Sequence, residues 1–94
     1  MNVKGKFKTS QEVREIKDGT FARNFVVMID NGRFPEMPIL FNIVGKQPRM
    51  ALIDGFEEGD EVEVEFELKG RMSQNDDKKY FNNLSVKFIS KTSL

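Results

Sequence analysis

Rings and cations stand side by side at several points of this sequence. Phe21 precedes Arg23, Arg33 precedes Phe34, and Lys79 precedes Tyr80 and Phe81, with Arg71 at the near side of the polar stretch 73–79. Cations that track phosphates and rings that stack bases are the two ingredients of single-strand capture, each stack contributing about 1–3 kcal/mol. Phe21 opens a strand beside a turn, which favours stacking. Phe34 and Phe81 stand evenly between stacking and packing or a subunit contact. Lys4, Lys6 and Lys8 either follow phosphates or keep an edge strand from aggregating. Lys46 and Arg49 begin a short helix whose free N–H groups favour phosphate, although such residues are more often simply solvated. Phe7, Phe25, Phe41, Phe66 and Phe88 fall on inward faces and are expected in the core.

The sequence excludes other chemistry. With no His and no Cys among 94 residues, it lacks the commonest metal ligand, general base and thiol nucleophile, so zinc enzymes and Ser-His or Cys-His hydrolases are ruled out. Glu63 with Glu65 is a solvated pair on a regular strand, not an acid–base dyad. No cofactor, no metal and no catalysis are expected. No apolar run approaches the roughly 20 residues of a membrane span, which suits a soluble cytoplasmic protein.

Net charge is zero, but the charges are segregated. Residues 1–52 carry nine Lys/Arg against five Asp/Glu, residues 53–70 one against eight, and residues 71–94 five against two. The acidic block holds the clearest strand: Val62, Val64, Phe66 and Leu68 alternate inward against Glu61, Glu63, Glu65 and Glu67 outward. That ladder repels a polyanion, so any nucleic acid must lie elsewhere.

The remaining elements follow from similar patterns. Val3 to Lys8 reads as a first strand with a bend at Gly5. Residues 9–19 suit either a short helix or a continuation of the strand from Val13 to Ile16 after a kink, closed by an Asp18-Gly19 turn; the strand is favoured. Phe21 to Ile29 forms the second strand, apolar on both faces, which asks for a subunit or a flat ligand over Val26 and Met28. Ile39 to Val44 forms the third, Pro48 and Gly55 bracket a short helix, and Tyr80 to Ile89 forms the fifth, with Leu84, Val86 and Phe88 sharing a face. Residues 1–90 make one domain, and residues 91–94 are expected to fray.

Three strands, a short helix and two strands is the order of an all-β, five-stranded OB-fold Greek-key barrel, with its helix between strands three and four. The segments Gly19-Thr20-Phe21-Ala22-Arg23-Asn24-Phe25-Val26-Val27, Phe34-Pro35-Glu36-Met37-Pro38-Ile39-Leu40-Phe41, Gly59-Asp60-Glu61-Val62-Glu63-Val64 and Lys79-Tyr80-Phe81-Asn82-Asn83-Leu84 resemble a compact bacterial family of formally unknown function. That family is similar to the DNA-binding domain of bacterial single-stranded DNA-binding proteins. The resemblance implies sequence-tolerant binding of single-stranded DNA, with RNA as an alternative strand, often as a homodimer or higher oligomer. It also implies no catalysis. This chain has Phe21 and Val44 where the family tends to show Trp. A rival expectation is a protein-interaction or self-association module that uses the apolar outer sheet face and the acidic strand.

Overall fold

The computed structural model describes residues 1–30, 32, 36–72 and 80–92, and for Arg71, Met72, Tyr80 and Phe81 the backbone alone. Its strands are β1 (Asn2–Ser10), β2 (Arg14–Lys17), β3 (Thr20–Ile29), β4 (Met37–Gly45), β5 (Glu61–Met72) and β6 (Tyr80–Lys91), with a 3₁₀ helix (Gln47–Ile53) between β4 and β5. The sheet order is β1-β5-β6-β4-β3-β2, and pairing of β1 with β3 closes the ring. This is an OB-fold barrel.

Six strands reduce to the expected five because β1 and β2 lie end to end along one edge of β3. Lys6 faces Met28, Ser10 faces Phe25, Arg14 faces Ala22 and Lys17 faces Thr20, with the register slipping by a residue at each break. Gln11 N–H donating to the Asn24 carbonyl bridges the gap. Bulges of this kind bend a strand far enough to serve two parts of a barrel. The kinked-strand reading of residues 9–19 therefore holds. Gly19 supplies the left-handed residue of the turn at φ 75°. Gly5 lies where β1 crosses from β5 to β3, and a Cβ there would stand 2.5 Å from the Met28 carbonyl oxygen.

Inside, alternation on β1, β3, β4, β5 and β6 points Phe7, Phe25, Val27, Phe41, Ile43, Val62, Val64, Val86 and Ile89 into one core. Rings run across it: Phe7 to Phe25 at 6.0 Å, Phe25 to Phe41 at 5.5 Å, and Phe41 edge-on to Phe66 at 5.3 Å. Each such ring contributes about 1.5–3 kcal/mol by burial. The helix closes one end of the barrel with Met50 and Ile53, three apart, as a 3₁₀ turn of about three residues requires.

Two inward assignments fail on the β5–β6 pair. Phe88, expected in the core, is 55% exposed, while Ile89 is buried at 4%. The cause is a bulge: Glu65 pairs with Phe88 but Phe66 pairs with Val86, leaving Lys87 as an extra residue that reverses the alternation of β6 beyond it. Leu68 is 60% exposed although it alternates correctly with Val62 and Val64. Contact ends before it does. At the expected frayed end, Lys91 pairs with Val62 and the Thr92 N–H donates to the Glu61 carbonyl, while residues 93 and 94 lie outside the described residues.

Candidate nucleic-acid interface

The barrel turns two different outer faces to solvent. On one, β1 and β5 set Lys4 opposite Glu63 and Lys6 opposite Glu61. Directly opposed residues in such a pair have Cβ atoms about 4.5–5.5 Å apart. Lys6 also lies 3.9 Å from Glu36, and Lys8 bonds Glu58 at 2.9 Å. Lys87 donates to Glu67 at 2.7 Å, which holds the Glu67 carboxyl below its ordinary range and the Lys87 amine above its own. Lys4 and Lys6, expected among the nucleic-acid-binding residues, stand opposite the glutamate ladder.

Two other candidate cations are engaged inside the fold. Arg23 donates to the carbonyls of Gln11 and Met50, to Ser10 Oγ, and to Asp54 Oδ1 at 2.6 Å, which ties the kink of the first strand to the helix. Arg49 Nη2 donates to the carbonyls of Val86 and Lys87, at the bulge in β6. Both guanidinium groups thus bond backbone carbonyls within the fold. Phe21 faces the same way as Phe25 and packs half-buried against the core.

Arg33, Phe34 and Lys79 lie outside the described residues, as do the side chains of Arg71, Tyr80 and Phe81. The backbone puts Arg71 opposite Phe81 and Met72 opposite Tyr80 at the far end of the β5–β6 hairpin. Among the described residues the exposed ring is Phe88, opposite Glu65 on the acidic face.

The second outer face belongs to β3 and β4. Its cross-strand rows are Ala22 with Val44, Asn24 with Asn42, Val26 with Leu40 and Met28 with Pro38. None of these eight residues is charged. Leu40 is 51% and Val44 41% exposed, and Val26 and Met28 are half-buried. At one end Arg14 extends the Ala22–Val44 row from β2, and Lys17 and Lys46 flank the β2–β3 turn and the end of β4. Among the described residues none of these three cations has an ion-pair or hydrogen-bond partner. Lys46 was an expected site residue, whereas Arg14 and Lys17 were not.

Where β4 meets β6 in parallel at Asn42 and Ser85, a cleft of about 200 Å³ opens between Arg14, Asn24, Leu40, Asn42, Asn82 and Asn83. The Asn42 amide donates to Asn24 Oδ1, and the Asn24 amide donates in turn to Gln11 Oε1.

The sequence as a whole matches the model of the domain of unknown function DUF3127 over residues 2–89. The chain belongs to that family. No curated protein matches the DUF3127 chain by sequence. Solved structures do match its fold. The dimeric N-terminal domain of PriB from Thermoanaerobacter tencongensis superposes with a TM-score of 0.69 at 19% identity, covering 100% of this chain and 96% of that one. The single-stranded DNA-binding protein of Thermus aquaticus gives 0.66 at 18% identity over 98% of this chain and 48% of that chain, so the DUF3127 chain spans about half of it. The small single-stranded DNA-binding protein of Streptomyces coelicolor gives 0.59 at 16% identity, with 98% and 90% covered. At these identities the likeness is one of fold.

Sequence reasoning overlooked the asparagines of the DUF3127 cleft because their residue type carries no charge or ring. The available signal was their placement: Asn24 and Asn42 interrupt otherwise apolar outer rows of two central strands, where a polar pair must satisfy itself or a ligand. Among the described residues no group of three or more His, Cys, Asp or Glu could hold a metal. No helix among them is long and apolar enough to cross a membrane.

Proposed function

We propose that this chain is a non-catalytic binding module for single-stranded DNA that lays the strand across the outer face of β3 and β4. The observation that carries the reading is the separation of charge: the carboxylates of β5 face away, while the β3–β4 face has no charged residue in its rows and, at one end, three cations without an ion-pair partner among the described residues. Two of the proteins whose fold it shares bind single-stranded DNA, which supports the same class of ligand here. A cytoplasmic setting goes with that ligand. Arg14, Lys17 and Lys46 meet phosphates, and the apolar and amide rows meet bases.

The test is a titration of labelled single-stranded and duplex oligonucleotides at several salt concentrations. Single strands bind better, and log affinity falls against log salt with a slope of about −2, since three neutralised phosphates contribute about −0.7 each. Equal binding of single strand and duplex, or no binding of either at low salt, overturns the reading.

A second reading rests on the exposure of Leu40 and Val44 beside Val26: this face pairs two copies of the chain. The PriB domain that it resembles is dimeric. Light scattering across concentrations with and without oligonucleotide separates the two readings, because a strand that displaces a subunit lowers the mass per particle.

A further inference from the structure

We infer that the cleft at the β4–β6 seam holds one unstacked nucleobase by its hydrogen-bonding edge, through carboxamides rather than through a stacking ring. The inference rests on the proposed function and names how the strand is distinguished there. Two other surface clefts are unsuited to such a ligand. One is lined by Asp30, Glu36 and Glu61 together with Lys4 and Lys6, and the other by the Arg23–Asp54 pair. The seam cleft has no carboxylate in its lining, and its single cation is Arg14.

Four asparagines line it: Asn24, Asn42, Asn82 and Asn83. The relay from Asn42 through Asn24 to Gln11 fixes the Asn42 side chain and uses one of its amide hydrogens. Its Oδ1 and its second amide hydrogen have no partner among the described residues. A carboxamide offers one donor beside one acceptor, and every nucleobase presents a complementary adjacent pair on some edge. Leu40, half in solvent at the cleft wall, gives the flat of the base an apolar surface. Arg14 stands at the rim for the neighbouring phosphate.

This arrangement reads the presence of a base without choosing among the four. It also discriminates against duplex, in which those edges are already paired. Binding that depends on base edges needs no exposed ring, and among the described residues none stands on this face.

The test compares oligothymidylate with a strand of equal length made wholly of abasic sugar-phosphate units. The parent binds oligothymidylate about tenfold more tightly, within the range of one bidentate amide–base contact. Asn42→Ala, and separately Asn82→Ala with Asn83→Ala, lower thymidylate affinity toward the abasic value and leave abasic binding unchanged. The second variant changes only exposed positions, so it stays informative if Asn42→Ala disturbs the β4–β6 seam. Equal binding of the two strands by the parent overturns the inference and the base contacts of the proposed function, and leaves its phosphate capture of single strands standing. Full preference retained in the folded Asn82→Ala/Asn83→Ala protein overturns the cleft as its location. No binding of either strand at low salt overturns both.

Discussion

Arg23 distinguishes a phosphate ligand from a structural clamp. Its guanidinium makes bonds of 3.0 Å to the Gln11 carbonyl, 2.9 Å to the Met50 carbonyl, 2.6 Å to Asp54 and 3.2 Å to Ser10 Oγ. The side chain is 15% exposed, whereas Asp54 is 62% exposed. Solvent on the Asp54 side holds the ion pair to the surface range of about 0.2–1 kcal/mol. The Met50 bond is part-buried and charge-assisted, and such bonds contribute about 1.5–3 kcal/mol. With weaker contributions from Gln11 and Ser10, Arg23→Ala loses about 3 kcal/mol, a large fraction of the roughly 5–15 kcal/mol of a small domain. Arg23→Lys keeps the charge but not the fork, and loses about 2 kcal/mol. Asp54→Asn loses under about 1 kcal/mol. Urea unfolding followed by circular dichroism measures all three. An Arg23→Lys protein within about 0.5 kcal/mol of the parent, the scatter of neutral surface changes, refutes the clamp. So does an Asp54→Asn loss equal to that of Arg23→Ala. Single-strand affinity of folded Arg23→Lys stays at the parent value.

Two further outcomes test the barrel. Ile89→Ala costs about 2–5 kcal/mol because the side chain is buried, whereas Phe88→Ala changes stability by about 0.5 kcal/mol; the reverse order in urea unfolding would place the bulge wrongly. The Glu67 carboxyl is lowered from the ordinary 4.5 by its hydrogen bond and attraction to Lys87. A depressed carboxyl contributes stability above the unfolded pKa and loses it as pH falls through the folded one. A carboxyl-detected NMR titration therefore finds Glu67 ionised below pH 4.5, and Lys87→Met returns it to the ordinary range. A Glu67 midpoint unmoved by Lys87→Met rejects that pairing.

Periodicity carried most of the fold. Alternation in Val62 to Leu68 and in Phe21 to Ile29 located the two strands that supply much of the core, and Asp18-Gly19 located a turn. Periodicity failed at Lys87, because a bulge is an agreement between two strands and leaves no mark on either one alone. It failed again for Leu68, whose burial depends on how far its neighbours reach, not on its own phase. Charge misled for a related reason. Lys4 and Lys6 sit far in sequence from Glu61 and Glu63, so the basic segment and the acidic segment look separable until pairing of β1 with β5 makes them one surface.

That pairing also changes what zero net charge means for this protein. Screening confines exposed charges to a range of about 8–10 Å at physiological salt, so a strand on the β3–β4 face responds to the charges near it and not to the total. The β1–β5 lysines offset the ladder in place, which leaves the opposite face with weak electrostatics of either sign. In the proposed function its pull on phosphates comes from Arg14, Lys17 and Lys46, too few for tight binding by counterion release alone. The remaining affinity must come from what touches the bases. On this face that is Val26, Leu40 and Val44 for apolar contact and the Asn24–Asn42 pair for hydrogen bonds. A module built this way depends on unpaired bases more than on backbone charge. Under the proposed function, such a module holds exposed single strand and releases it as the complementary strand returns.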